Sequence, residues 1–138
     1  MHIAISKDKI DLSSEKKTKE LADKFSKKIK PGNVVFLYGE MGVGKTTFVR
    51  YLINQLQKDN KWEITEVTSP TFALLNEYKI NQIKINHYDL FRLKSLEEVK
   101  NLDLFEENIN TVTLVEWPQI IEEKPKNLIE LNFEYGKD

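Results

Sequence analysis

Residues 39–46 read G-E-M-G-V-G-K-T, and this stretch decides the fold. It fits the pattern G-x-x-x-x-G-K-[ST], a loop whose backbone N–H groups surround phosphate oxygens. Gly39, Gly42 and Gly44 lack the Cβ atoms that would keep the chain from curling around a polyphosphate. The Lys45 side chain is predicted to reach the β- and γ-phosphates, and the Thr46 hydroxyl to ligate Mg²⁺. The stretch therefore predicts a binding site for a nucleoside triphosphate.

The residues on either side of this loop supply the context that such a site needs. The run V-V-F-L-Y at 34–38 is β-branched and aromatic, which predicts a buried strand. After the loop, apolar residues recur at helical spacing: Phe48, Val49, Leu52, Ile53 and Leu56. A strand, a glycine loop and a helix in this order direct the positive end of the helix at an anion.

Composition limits the class of protein. The 138 residues suit one domain, so we expect a single P-loop ATPase domain over residues 1–138. A net charge of −1 gives no argument for a basic surface that binds nucleic acid, and the absence of cysteine excludes disulfides and thiolate metal sites. No apolar run approaches the roughly 20 residues of a membrane span, and the N-terminus lacks a signal-peptide core. We expect a soluble, cytoplasmic protein.

The remaining elements follow from periodicity and turn residues. The predicted elements are a first strand at the sheet edge over 3–5, helices over 14–29 and 95–107, a hairpin of 72–79 and 83–88 around 80–82, and strands over 112–115 and 128–133. Their order indicates an α/β protein with a three-layer P-loop NTPase fold and a mixed, mainly parallel central sheet.

Two of the predicted strands end in an acid. The strand at 83–88 runs into Asp89, and the strand at 112–115 runs into Glu116. Because the carboxyl ends of parallel strands face one crevice, both acids are expected beside the phosphate loop. Asp89 is predicted to bind Mg²⁺ directly or through water, and Glu116 to orient the attacking water or complete the metal shell. Lys45, Asp89 and Glu116 are thus the candidate catalytic residues, with Thr46, Asp89 and Glu116 around the metal.

A hydroxyl-rich turn and two aromatic side chains accompany these acids. The turn T-S-P-T-F at 68–72 carries Ser69 and Thr71, whose hydroxyls would sense a γ-phosphate as switch loops do. His87 is a candidate general base, although a lone histidine in a strand is more often structural. Trp117 is either a core residue or an exposed anchor for a partner.

These segments together resemble one family. The loop G-E-M-G-V-G-K-T-T-F at 39–48, T-S-P-T-F at 68–72, H-Y-D-L-F-R-L at 87–93 and V-E-W-P at 115–118 are similar in order and spacing to the TsaE family. The resemblance covers nearly the whole chain. The phosphate loop alone is generic, whereas the other three motifs in combination are specific.

The resemblance implies a function. Members of the TsaE family are small ATPases of tRNA threonylcarbamoyladenosine biosynthesis, so the resemblance implies ATP and Mg²⁺ as cofactors and weak ATPase activity. It also implies partnership with the TsaD and TsaB proteins, which transfer the threonylcarbamoyl group to adenosine 37 of tRNA. Contact with tRNA is expected to be indirect, through that complex.

The resemblance also carries over particular residues. By position, Gly42, Val43, Gly44, Lys45, Thr46 and Thr47 match the nucleotide-binding loop, Thr46 and Asp89 the magnesium environment, and Glu116 the second acid. Residues 69–72 match the switch-like segment, Trp117 the tryptophan beside the acid, and Glu15 a position near the base or ribose. Two residues depart from the family pattern: Asp103 stands where glycine is common, and Gln119 where glutamate is usual.

Two other functions share some of these features. A small-molecule or nucleoside kinase would have the same phosphate loop, but the chain shows no arginine-rich lid and no insertion for an acceptor. A non-catalytic adaptor would use ATP only to order a docking surface. A GTPase is disfavoured because no N-K-x-D motif for reading guanine follows the strands.

Overall fold

The computed structural model describes residues 2–5, 8–11, 14–40, 44–105 and 109–134. Its elements follow in chain order: β1 His2–Ile5, β2 Asp8–Asp11, α1 Glu15–Ser26, β3 Val34–Tyr38, α2 Lys45–Asp59, β4 Leu75–Ile80, β5 Ile83–Asp89, α3 Leu96–Lys100, β6 Thr111–Glu116, a 3₁₀ turn Pro118–Ile120, and β7 Leu128–Glu134. None of the helices in these ranges has the length and apolar character needed to cross a membrane.

The strands form one seven-stranded sheet in the order β2-β1-β7-β3-β6-β5-β4. The four central strands β7, β3, β6 and β5 are parallel, while β1, β2 and β4 pair antiparallel at the two sides. The predicted mixed, mainly parallel central sheet is confirmed. Strand β3, which leads into the phosphate loop, lies in the middle of the sheet, between β7 and β6.

Each face of the sheet is covered, which gives the three predicted layers. On one face, Val35 and Leu37 of β3 pack with the buried sides of α1 and α2. On the other face, Val34 and Phe36 pack with α3 and the segment after it. Because both faces of β3 are buried, its sequence is continuously apolar rather than alternating.

The start of α2 is anchored by aromatic packing. Phe48 is fully buried, and its ring centroid lies 5.8 Å from that of Phe25 on α1 and 5.6 Å from that of Phe133 on β7. Truncating such a side chain to alanine typically costs about 3–5 kcal/mol of stability. Phe48 therefore holds in place the helical turn that carries Lys45, Thr46 and Thr47.

The first and last predicted helices differ from the structure in length. Helix α1 begins after the serine cap Ser14 and ends at Ser26, earlier than predicted, because Lys27 and Lys28 form a turn. Helix α3 spans only Leu96–Lys100, and the chain then continues as turns. Asp103 has φ of 49°, a left-handed conformation that ends helical continuation and suits the glycine expected at this position.

Two strand predictions also need correction. The strand at 3–5 exists as β1, but it is not at the edge, because β2 pairs with its outer side. Strand β4 begins at Leu75 rather than at residue 72, because residues 71–74 form a turn. In that turn the Leu74 N–H donates to the Pro70 carbonyl over 2.7 Å, and Leu74 itself has φ of 71°.

Candidate functional site

A cleft of about 670 Å³ opens at the carboxyl ends of β5 and β6, beside the start of α2. Its walls combine hydroxyl, charged and aromatic side chains from four segments of the chain. The residues that line it are Gly44, Lys45, Thr46, Thr47, Ser69, Thr71, Phe72, Asp89, Phe91, Arg92, Glu116 and Trp117. This volume is large enough for a nucleotide, because small-molecule ligands occupy pockets of roughly 300–1,000 Å³.

The phosphate loop borders this cleft from the β3 side. Gly44 caps α2 with φ of 107°, a conformation that strains any residue with a side chain, so glycine is required there. Gly39, at the other end of the loop, also has a positive φ. The predicted site residues Gly42 and Val43 lie outside the described residues.

The ammonium group of Lys45 contacts a backbone carbonyl and an aromatic ring. Its Nζ donates to the Gly39 carbonyl over 2.5 Å and lies 3.9 Å from the centre of the Trp117 ring. Only 4% of the residue is exposed. Burial lowers the pKa of Lys45 below its ordinary value of 10.5, and the charges of Glu116 and Asp89 oppose that shift. A cation in this cleft, together with two acids, suits a polyphosphate with its metal ion.

Trp117 has an unusual backbone conformation for so large a residue. It has φ of 57° and ψ of 55°, in the left-handed region, which costs about 1–2 kcal/mol for a residue with a side chain. Its ring also packs on that of Phe91, with centroids 4.9 Å apart and the planes tilted by 51°. The contacts of the ring with Lys45 and Phe91 offset this cost and seat the indole over the lysine.

Asp89 sits at the end of a chain of hydroxyl groups. Its Oδ2 accepts a hydrogen bond from the Thr71 hydroxyl over 2.9 Å, and its Oδ1 accepts one from the Phe91 N–H over 2.9 Å. Since Thr71 donates to Asp89, the Ser69 hydroxyl, 2.8 Å away, donates to Thr71. The turn at 69–72 is thereby tied to the acid that the sequence assigns to Mg²⁺.

Glu116 points toward a different partner. Its Oε2 lies 2.6 Å from Nε2 of His87, and both residues are almost fully buried. Sheet geometry explains how the acids meet: Asp89 and Glu116 are directly opposite in the parallel pairing of β5 and β6. The sequence argument that strand-end acids would share one crevice with the phosphate loop agrees with this placement.

The donors near the cleft suit a hard divalent cation. The hydroxyl of Thr46 and the carboxylates of Asp89 and Glu116 are oxygen ligands, the type that Mg²⁺ prefers, with phosphate oxygens completing the shell. Within the described ranges, no group of three or more His, Cys, Asp or Glu side chains is placed to hold a metal ion.

Of the predicted binding residues in the described ranges, Gly39 and Glu15 do not line the cleft. Gly39 contacts Lys45 through its carbonyl, whereas no such contact is seen for Glu15 among the described residues. The surroundings of Glu15 are different: Glu15 lies at the start of α1, and its carboxylate accepts a hydrogen bond from the Tyr51 hydroxyl over 3.1 Å. Its assignment to the base or ribose end of the nucleotide remains a prediction.

Three aromatic and cationic side chains at the mouth of the cleft were not singled out by the sequence argument. Phe72 is 86% exposed, and the Arg92 guanidinium lies 5.2 Å from the centre of its ring. Phe91 is half exposed and packs at a tilt against Trp117. Their only signal in the sequence is membership of the motifs at 68–72 and 87–93.

Comparison with known proteins agrees with the motifs. Residues 12–138 match the family model described as threonylcarbamoyl adenosine biosynthesis protein TsaE. The chain is 44% identical over 128 residues to the tRNA threonylcarbamoyladenosine biosynthesis protein TsaE of Rickettsia bellii, covering 92% of this chain and 86% of that protein. It is 34% identical over 135 residues to the corresponding protein of a Nostoc species, covering 94% of this chain and 80% of that protein.

A solved structure is similar throughout the fold. The crystal structure of Bacillus subtilis YdiB superposes with a TM-score of 0.58 at 27% sequence identity. The match covers 93% of this chain and 72% of that one. The P-loop type of fold predicted from the sequence is thus supported by an experimental structure of similar architecture.

Proposed function

This chain belongs to the TsaE family, and on that premise we propose that it binds ATP with Mg²⁺ and hydrolyses it slowly in tRNA threonylcarbamoyladenosine biosynthesis. One observation supports the proposal above others. The lysine of the phosphate loop and the acids that end β5 and β6 line one cleft, together with the hydroxyls of Thr46 and Thr71. This is the set of groups that phosphoryl chemistry requires.

Each group has a distinct role in the proposal. Backbone N–H groups of the loop and the start of α2 hold the phosphates, with Thr47 beside them. Lys45 leaves the Gly39 carbonyl to pair with the β- and γ-phosphates. Thr46 and Asp89 hold Mg²⁺, and Glu116 orients the attacking water. When bound, the metal neutralises charge that develops on the phosphate oxygens.

We propose that the chain acts as one P-loop ATPase domain, over residues 1–138, in the cytoplasm with the TsaD and TsaB proteins. A domain of this size has little room for a second substrate beside the nucleotide, so the mouth of the cleft is expected to face a partner. The exposed Phe72 and the neighbouring Phe91 support this placement, because exposed aromatic side chains at a polar rim often anchor protein contacts. Contact with tRNA is then indirect.

The loop assignment is tested with Lys45→Ala. Removing the cation that faces the phosphates is expected to weaken ATP binding about 100-fold, since a charge-assisted hydrogen bond contributes about 1.5–3 kcal/mol. Isothermal titration calorimetry measures the affinity, and circular dichroism checks the fold. Lys58→Ala, an exposed lysine in the last turn of the same helix, is the matched control. Unchanged affinity in a folded Lys45→Ala protein would reject the site.

The partner assignment is tested by co-purification with the cognate TsaD and TsaB proteins in ATP, in ADP and without nucleotide. Docking is expected to depend on nucleotide, and phosphate release to rise inside the complex. Thr71→Ala and Trp117→Ala are expected to reduce that stimulation more than they reduce ATP affinity. A phosphorylated small molecule as product would instead indicate a kinase, and binding without phosphate release would indicate an adaptor.

A further inference from the structure

His87 is buried to a degree that its chemistry does not favour. None of its surface is exposed, and its neighbours along the sheet include Ile85 on its own strand, Leu114 on β6 and Asn76 on β4. A fully buried imidazole is poorly placed unless its nitrogen atoms find hydrogen-bond partners. Packing alone would be served better by another aliphatic residue.

Among the described residues, the His87 ring has one hydrogen-bond partner, an acid of the cleft. Nε2 lies 2.6 Å from Oε2 of Glu116, whereas Nδ1 is buried and has no hydrogen-bond partner within the part of the chain that the structure describes. A carboxylate accepts hydrogen bonds and does not donate them, so Nε2 carries the hydrogen and donates it to Glu116. The polar function of this histidine is therefore directed at Glu116.

We propose that His87 is a positioning residue for Glu116, an inference that rests on the proposed ATP hydrolysis. The hydrogen bond to Oε2 fixes the carboxylate plane and leaves Oε1 as the oxygen that meets the water in the cleft. His87 lies outside the lining of the cleft, so its effect on nucleotide or water would pass through another residue. It acts through Glu116, whose carboxylate it orients by the hydrogen bond.

The geometry distinguishes this role from a role in binding. His87 does not line the cleft, and its bond is to Glu116 rather than to Asp89 or to the phosphate loop. Loss of the bond should therefore reduce turnover and leave ATP affinity unchanged. A residue that only supports the fold would affect both quantities through stability, or neither of them.

Three substitutions of His87 test the role. His87→Gln places an amide N–H near the position of Nε2, whereas His87→Asn is too short to reach Glu116 and His87→Leu has no donor. We expect kcat to fall about 10–100-fold in the Asn and Leu variants and to return to within a few-fold of wild type in Gln. ATP affinity by calorimetry should stay within about two-fold in all three. Ile85→Val, an equally buried change on the same face of β5, is the control and should keep wild-type kcat.

A double variant tests whether the effect passes through Glu116. In a Glu116→Gln background, His87→Leu should produce no further loss of kcat, because the group that it positions is already inactive. Full additivity of the two losses, or wild-type turnover in a folded His87→Leu protein, would overturn the proposal.

A measurement that needs no turnover separates this inference from the proposed function. The ring ¹⁵N signals of His87 should show hydrogen on Nε2, and the Nε2 signal should shift in Glu116→Gln. The chain has two histidines, so in a His2→Gln protein every histidine ring signal comes from His87, which assigns the spectrum. An unchanged Nε2 signal would reject the contact. Absence of phosphate release by the wild type would reject the proposed function and leave the contact to be decided by this spectrum.

Discussion

The ends of β5 and β6 each bring one carboxylate to the same cleft, but the two carboxylates have different surroundings. Asp89 is bonded outward, to Thr71 and through it to Ser69, on a turn that ends at the exposed Phe72. Glu116 is hydrogen-bonded inward, to the fully buried ring of His87. One acid is thus coupled to a surface turn and the other to the core. Because both stand at equivalent strand ends, we expect these neighbours to be what gives the two acids different roles.

Lys45 lines the same cleft as the two acids, and the charges of both act on its pKa. Its charge is favoured first by Glu116 and then by Asp89, against the cost of burial. The difference between the acids can therefore be measured in three ways: through turnover, through metal-dependent binding and through the behaviour of this lysine.

The largest effect is expected from Glu116→Gln. An amide cannot act as a base or orient water as a carboxylate does, so kcat for phosphate release should fall about 100–1,000-fold. ATP affinity should remain within about three-fold, because the phosphates are held by the loop and Lys45. A coupled phosphate assay and calorimetry measure the two quantities. Turnover near the wild-type value would show that the inward-facing acid is not the catalytic one.

The next largest effect is expected from Asp89→Asn. An amide oxygen is a weaker ligand for a hard cation, so ATP affinity in the presence of Mg²⁺ should fall about 10–100-fold. The same variant should bind ATP as the wild type does when the metal is chelated. If the loss persists without Mg²⁺, Asp89 holds the loop architecture rather than the metal, and the contrast between the acids is reduced.

A smaller effect is expected from Thr71→Ala. This change removes the hydrogen bond to Oδ2 of Asp89. A buried hydrogen bond to a charged acceptor contributes about 1.5–3 kcal/mol. Because Thr71 is only partly buried, we expect an approximately five-fold loss of Mg²⁺-dependent ATP affinity. Thr71→Ser keeps the hydroxyl and should restore binding. An equal loss in the serine variant would attribute the effect to the methyl group and its packing.

The smallest effect concerns pH. The pKa of Lys45 is below its ordinary value of 10.5, so the lysine loses its charge at a lower pH than an ordinary lysine does. ATP affinity should therefore fall as pH rises through the alkaline range below 10.5. Stability changes in the opposite sense, because a buried ammonium disfavours folding until it is deprotonated. Glu116→Gln should move the alkaline loss of affinity to lower pH more than Asp89→Asn does. The reverse order would mean that Asp89 is the closer electrostatic partner.

The parts of the fold with continuous apolar patterning could be predicted well. Strand β3 was predicted with its observed bounds, since V-V-F-L-Y is buried on both faces and has no competing interpretation. The hairpin was predicted with its turn, but its first strand begins later than predicted. The reason is the left-handed backbone of Leu74, which a leucine in the sequence does not indicate. Helix α3 ends at Lys100, short of its predicted end, and the left-handed backbone of Asp103 keeps the following turns from continuing as a helix.

The candidate site could be predicted as a set of residues more easily than as a set of contacts. The motifs brought Lys45, Asp89 and Glu116 to one cleft, because sheet topology determines where strands end. The contact of His87 with Glu116 joins residues 29 positions apart on neighbouring strands, and no local pattern encodes it. The contact of the Trp117 ring with Lys45 depends on the left-handed backbone conformation of Trp117, directly after β6. The sequence W-P does not specify that conformation.

The indole above Lys45 gives this protein an optical probe. The chain has two tryptophans, and Trp62 lies beyond the end of α2, away from the cleft. In a Trp62→Phe protein all indole emission comes from Trp117, whose ring lies 3.9 Å from the Lys45 ammonium. If Lys45 moves to the phosphates as proposed, the emission should change, and nucleotide entry and exit should be measurable in real time by intrinsic fluorescence, without a label on either molecule.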